Sequence, residues 1–265
     1  MTLQHGTRFI TYGNFIRTEL LLKGYRKKPE YVVAIKHANN DLMPYIHIDA
    51  SINIQNHTDK NYTEAYAKSF LGEYAEVRYI FYSSQSRPNK NILNMVKAFE
   101  YLLRKRFQPI KLFLTASLEM YKPVGEYIKE HHLERDVISF YNVPAKKLAA
   151  LYYCAELVVN PTLYEGGFPF TFGEGMSVGT PSVMSDIPQT RDVLEPAGLE
   201  DIMFDPYDWK DMADKIEYAL AHKEELYEKE LPLYQELAKR TPKVEAQEYV
   251  EAFRYFIEQE AAEKA

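Results

Sequence analysis

From Arg78 onward, short apolar runs alternate with segments whose apolar residues recur every three or four positions, and few folds accept that rhythm. Residues 78–83, 110–116, 137–141, 157–160, 181–185 and 202–204 have the length and composition of buried strands. Between the first two, Ile92, Leu93, Val96, Phe99, Leu102 and Leu103 mark one face of a helix. Further helices are predicted at 124–131, 145–154, 169–178 and 209–222. Strands separated by helices pair in parallel, so the expected fold is α/β: a doubly wound sheet covered on both faces, of Rossmann-like type. A chain of 265 residues, 46% apolar and 26% charged, supports a sizeable core but does not hold two full domains of that kind.

The flanks read differently. Residues 8–13 and 31–36 read as strands around a helix that Asn14 caps and Gly24 ends, followed by a polar stretch at 38–62 and a short helix at 63–70. Residues 1–75 thus carry a βα remnant and a linker, 76–240 the sheet domain, and 241–265 a helical tail. Pro232 and Pro242 are expected to break the tail, with Thr241–Pro242 as cap and first turn and Val250, Phe253 and Ile257 as its apolar stripe.

Net charge −6 argues against nucleic acid as a partner, since a phosphate backbone requires a surplus of Lys and Arg. Cys154, the only cysteine, excludes an internal disulfide and fits a reducing compartment. The sequence shows neither a signal-peptide pattern nor an apolar run of membrane-spanning length, so a cytoplasmic protein is expected, or one peripheral to the cytoplasmic membrane face.

The chemistry concentrates in 160–185, NPTLYEGGFPFTFGEGMSVGTPSVMS. A strand ends in a loop with Gly166 and Gly167, and Phe168 and Pro169 then open a helix. Glycines admit close backbone approach and a helix N-terminus presents unpaired N–H groups, which together suit a phosphate. Glu165 and Glu174 bracket that site, and ionised carboxylates accept strongly from hydroxyls, as on a sugar or ribose. In the loop after the first strand of the sheet domain, Arg87 and Lys90 stand near another helix N-terminus. The dipole disfavours cations there, unless an anion sits between. Taken alone, the two glutamates read more simply as solvated surface and helix-dipole complement, and the two cations equally well as a solvated turn; both loops lie at carboxyl ends of strands in one sheet, where they can converge on one diphosphate.

The segment TLYEGGFPFTFGEGMSVGTPSVMSDIPQTRDVLE resembles the donor-binding signature of family 4 of the retaining glycosyltransferases, which have the two-domain GT-B fold. QSRPNKNILNMVKAFEYLL, VISFYNVPAKKLAALYYCAELVVNP and DIMFDPYDWKDMADKIEYAL follow the family's order, so the resemblance covers 77–222. It implies a sugar nucleotide, linked to UDP, GDP or ADP, held in the C-terminal domain, with transfer to a glycan or lipid-linked acceptor. By the same resemblance Glu165 contacts the donor sugar and Glu174 the ribose. Arg87 and Lys90 neutralise the diphosphate, backbone groups of Gly166, Gly167, Phe168 and Pro169 line the sugar and phosphate, and the loop at Tyr141, Asn142 and Val143 borders the base. The leaving phosphate assists deprotonation of the acceptor, so neither metal nor cofactor is required.

Two departures stand out. The interval between Glu165 and Glu174 is one residue longer than the family pattern, and residues 8–24 resemble only the end of the family's N-terminal acceptor domain. The acceptor half is then expected from a longer polypeptide or a separate chain. The alternative reading is a nucleotide-sugar binding module without activity of its own; an epimerase of the same fold is a third. The seven histidines show no metal-ligand spacing, no GxGxxG follows the first strands, and Cys154 in LYYCAELVV reads as a packing residue.

Overall fold

The structure, a computed structural model, describes residues 6–46 and 60–264. Part of the polar stretch expected at 38–62 therefore lies outside the described residues. The chain opens with β1 (Phe9–Thr11), α1 (Ile16–Gly24), β2 (Val32–Ala34), α2 (Met43–Ile46) and α3 (Lys60–Ser69). Strands β1 and β2 form a parallel pair with Phe9 opposite Val32. Helix α1 is wound as a π-helix, closed by the Tyr25 N–H on the Leu20 carbonyl at 2.9 Å. Asn14 falls inside the helical run instead of capping it.

The main domain follows: β3 (Tyr79–Tyr82), α4 (Ile92–Lys105), β4 (Lys111–Leu114), α5 (Lys122–Glu130), β5 (Val137–Ser139), α6 (Ala145–Tyr153), β6 (Leu157–Asn160), α7 (Phe170–Ser177), β7 (Ser182–Ser185), α8 (Pro188–Leu194), β8 (Met203–Phe204) and α9 (Trp209–Ala221). Its six strands lie parallel in the order β5-β4-β3-β6-β7-β8. The order reverses between β3 and β6, which is where open sheets of this kind form a crevice at their carboxyl ends.

Alternation along β3 divides the core. Tyr79 and Phe81 join Phe113, Val158 and Ala149–Tyr152 of α6, while Ile80 and Tyr82 join Leu112, Leu114, Val159 and the buried stripe of α4. Helix α9 returns against α4, with Met212 and Ile216 in that second cluster. Leu42, Ile46, Ala67 and Leu71 complete the first, so α2 and α3 cover α6; the part of the leading segment read as linker is packed.

Two tail helices finish the chain, α10 (Lys223–Ala238) and α11 (Pro242–Lys264). Pro232 does not break the tail: it sits inside α10, which crosses back to α7. The fully buried Glu230 accepts the Ser182 N–H on both carboxylate oxygens at 3.1 Å. Strand β8 starts opposite Met184, so the first residue of β7 has no neighbouring strand on that side, and the carboxyl group takes its place.

Helix α11 starts as expected, with Thr241 Oγ1 accepting the Val244 N–H at 3.4 Å and Pro242 in the first turn. Its apolar stripe is only partly covered. Val250, Phe253 and Ile257 are 42%, 54% and 67% exposed and the buried side chains are Ala252 and Phe256, while Phe253, Phe256 and Ile257 together line a groove with Arg8, Ile10 and Tyr12 of the leading unit. Polar contacts fix that packing: Tyr31 donates to Glu263 at 2.6 Å, Arg8 pairs with Glu263 at 3.0 Å, and the Ala38 N–H donates to Glu245 at 2.8 Å.

Candidate functional site

Two loops form the crevice, and they are bonded to each other. Residues 83–91 carry the chain from β3 to α4, and 161–169 from β6 to α7. The Asn89 carbonyl accepts the Leu163 N–H at 2.8 Å and the Thr162 hydroxyl at 3.1 Å, and Asn89 Nδ2 donates to the Tyr164 carbonyl at 3.1 Å. Asn91 ties in a third loop, because its Nδ2 donates to the carbonyls of Pro161 at 2.9 Å and Pro206 at 2.7 Å. Its φ of 54° is a left-handed conformation that Asn tolerates better than most residues. An Asn between Lys90 and the first apolar residue of α4 was the sequence signal for this pin, and sequence reasoning passed over it.

Between the loops lies a cleft of about 420 Å³ lined by Lys90, Glu165, Gly166, Gly167, Phe168, Pro169 and Glu174, with the first turn of α7. Lys90 pairs with Glu165, both side chains being 19% exposed. Glu174 accepts from Tyr152 at 2.5 Å and from Asn40 Nδ2 at 2.7 Å. Burial, and then the neighbouring Glu174, push the Tyr152 phenol far above its ordinary pKa, so it stays a neutral donor. Asn160 Nδ2 donates to Thr171 Oγ1 at 2.7 Å, fixing the first turn of α7 to the end of β6. Helix N-termini carry N–H groups without intrahelical acceptors, so the cleft presents a cation, two carboxylates and free amides at one sheet end.

Sequence reasoning missed the opposite wall. Tyr12 and His37 also line the cleft, and both come from the leading unit. Their rings stack with centroids 3.8 Å apart, and His37 lies 4.7 Å from Phe170 of α7. Burial lowers the pKa of His37 despite Glu245 nearby. The glycine pair has a second reason to be glycine: a Cβ on Gly167 would stand 2.9 Å from the Tyr12 carbonyl oxygen, and one on Gly166 3.9 Å from the Tyr12 ring. The close approach expected for a phosphate is also the packing of the leading unit onto this loop.

Other sequence candidates fall elsewhere. Arg87 is exposed and does not line the cleft with Lys90. Tyr141 is 63% exposed, Asn142 is exposed with φ 55°, and Val143 packs beside the α6 cluster; none of the three lines the cleft. Burial raises the Cys154 thiol to about 12, as suits a packing residue. Among the described residues no helix is long and apolar enough to cross a membrane.

The fold places this cleft at the switch point of a doubly wound sheet, and comparison with known proteins gives the class. Residues 66–244 match the model of the glycosyl transferases group 1, and the chain belongs to that family. The serotype-specific mannosyltransferase WbdA of Escherichia coli is 31% identical over 138 residues, covering 50% of this chain; the chain spans 16% of that relative's length. Among solved structures, Anabaena HepE in complex with UDP-glucose superposes with a TM-score of 0.73 at 14% identity, over 96% of this chain and 65% of that one. A Rickettsia africae glycosyltransferase gives 0.71 at 15% identity, over 96% and 64%. Sucrose-phosphate synthase of Thermosynechococcus elongatus gives 0.70 at 18% identity, over 97% and 60%. These likenesses establish the fold, the Rossmann-like half of the GT-B architecture.

Proposed function

We propose that the chain is the donor-binding part of a retaining glycosyltransferase that moves a sugar from a nucleotide sugar to a glycan or lipid-linked acceptor. The observation that carries this reading is the cleft itself: Glu165 and Glu174 with Lys90 and the first turn of α7, at the switch point of the sheet. A nucleotide sugar has polyols at both ends and a diphosphate in the middle, and the cleft offers acceptors for hydroxyls beside a cation and free amides for the anion. The family match supports the reaction class, and the complexes of HepE with UDP and with UDP-glucose support the donor class.

In this reading Glu174 is held by Tyr152 and accepts from the ribose hydroxyls, and Glu165 orients the donor sugar. Lys90 and the α7 amides stabilise the charge that grows on the diphosphate as the bond from the anomeric carbon to the phosphate oxygen breaks. The acceptor oxygen bonds to that carbon on the same face, and its proton passes to the departing phosphate. No step draws on a metal. Lys90 shares its charge with Glu165 in the unliganded cleft, so binding of diphosphate competes with that pair.

Calorimetry with UDP, GDP, ADP and their sugar conjugates, with and without chelator, tests the reading. Metal-independent binding of one diphosphate is expected, weakened about ten- to hundredfold by Glu174→Ala through loss of charged hydrogen bonds. Absence of binding to all three, or its abolition by chelator, rejects the donor site. A second reading is a binding module that depends on a separate acceptor-domain chain; among the described residues the leading unit carries a two-stranded sheet beside the cleft. The two readings separate when the chain is assayed for transfer alone and with the candidate acceptor-domain chain.

A further inference from the structure

Five buried side-chain polar atoms among the described residues make no hydrogen bond, and two of them, the hydroxyls of Tyr82 and Ser84, lie at the carboxyl end of β3. Tyr82 also lines the cleft. It is the last residue of β3, its side chain is 1% exposed, and its ring belongs to the core cluster on the α4 face. A phenylalanine would fill the same place without stranding a polar atom, and a buried hydroxyl with no partner costs the fold free energy. No hydrogen bond of full geometry satisfies this oxygen; the Ser84 hydroxyl is near enough to lower its pKa and is its polar neighbour.

Its electrical surroundings say what could use it. The hydroxyl feels Glu165, and its ring neighbours Tyr152, the donor to Glu174. Burial first, and then Glu165, raise its pKa, so it is a neutral O–H at any working pH. Neither carboxylate accepts its proton in the structure; Glu165 bonds Lys90, and Glu174 bonds Tyr152 and Asn40. Ser84 is a polar neighbour whose own Oγ also lacks a partner, and even a bond between the two hydroxyls would leave one proton unused. A neutral phenol that lines the cleft with both carboxylates, and whose proton the fold leaves without a well-placed acceptor, is suited to a ligand that brings an acceptor to the middle of the cleft.

We propose that the Tyr82 hydroxyl is a substrate-binding group that donates a hydrogen bond to the diphosphate of the bound nucleotide sugar. The inference rests on the donor-cleft reading above and adds to it a contact at the floor of the cleft. Lys90 supplies charge at one side of the anion, and Tyr82 supplies a directional neutral donor whose desolvation has already been met by folding. Such a donor favours an oxygen anion over a neutral group, because hydrogen bonds to ionised acceptors are the stronger kind.

The test is Tyr82→Phe in the full chain, titrated calorimetrically with UDP, GDP and ADP and with the matching nucleosides. For whichever diphosphate the wild type binds, affinity should fall about tenfold or more, while affinity for the nucleoside stays the same. The thermal midpoint without ligand should stay level or rise, because the lost oxygen has no partner there; Ser84→Ala should leave diphosphate affinity unchanged. Equal diphosphate affinity in wild type and Tyr82→Phe overturns this inference alone. Parallel losses for diphosphate and nucleoside overturn it as well, since they mean a disturbed cleft and not a missing bond to the anion. If the wild type binds none of the three diphosphates, the donor-cleft reading fails and this inference with it.

Discussion

The two sheets of this molecule are stabilised in different ways. Every strand of the six-stranded sheet contributes side chains to one or both of the two large apolar clusters, and its loops are stitched together by Asn89 and Asn91. The leading β1–α1–β2 unit has its own few buried side chains, Leu21, Val32 and Ile35, and none of them belongs to either cluster. It is held instead by the ring stack of Tyr12, His37 and Phe170 and by α11, through Glu245, Glu263 and Phe256. A two-stranded sheet is at best marginally stable by itself. One wall of the cleft is therefore rigid scaffold, and the other is a small unit kept in place by a helix from the far end of the chain.

The sharpest way to break this comparison is Phe256→Ala. Phe256 is one of the two side chains α11 buries, and truncating a buried phenylalanine costs about 3 kcal/mol or more. The loss should be local: amides of β1, β2 and α11 should exchange faster by hydrogen exchange, with those of β3, β4 and β6 little changed. Uniform loss of protection across both sheets would show a single cooperative unit and remove the distinction.

That difference also explains what the sequence reading could reach. The six strands of the main sheet lie within a few residues of their expected bounds, because fully buried parallel strands appear as uninterrupted apolar runs. Lys90, Glu165 and Glu174 meet in the cleft because their loops belong to one sheet, whose topology follows from element order alone. Tyr12 and His37 line the same cleft, and Asn40 bonds its Glu174, from a segment remote in sequence, and nothing in their own neighbourhood marks them for it. For α11, periodicity showed which residues are apolar but not how far each is covered: Phe253 and Phe256 are one turn apart and both line the groove against the leading unit, yet only the second is buried. Pro232 misled because a proline inside a helix is tolerated where its surroundings hold the helix together, and the buried Glu230 bonded to β7 does so here.

Glu230 sharpens the comparison from the scaffold side, with a smaller effect. Glu230→Ala leaves the Ser182 N–H buried and unpaired, a cost of about 1–3 kcal/mol that should appear in the global unfolding of the main sheet by denaturant titration. Glu230→Gln keeps an oxygen for that N–H and removes the ionisation. Burial holds the Glu230 carboxyl well above its ordinary pKa, so its contribution is complete at pH below the unfolded value and is lost as pH rises toward the folded one. The wild type should therefore lose stability relative to Glu230→Gln as pH rises from 4 to 8. A difference between the two proteins that does not change with pH would mean that the carboxyl group is not neutral in the fold.

The smallest effect concerns the other wall. His37 is stacked between Tyr12 and Phe170, and burial lowers its pKa below the ordinary value. The unfolded chain then binds a proton more readily than the folded one. The neutral ring's contribution is present above the unfolded pKa of about 6.5 and is lost as pH falls through the folded value. If the leading unit opens separately, the loss should appear first in hydrogen exchange of β1 and β2 as pH is lowered from 7.5 to 5.5, after correction for the intrinsic pH dependence of exchange. His37→Phe keeps a ring in the stack and has no proton to take up, so its β1 and β2 protection should not depend on pH in that range. If both proteins show the same pH dependence there, His37 is not the titrating group and its share in holding the second wall is refuted.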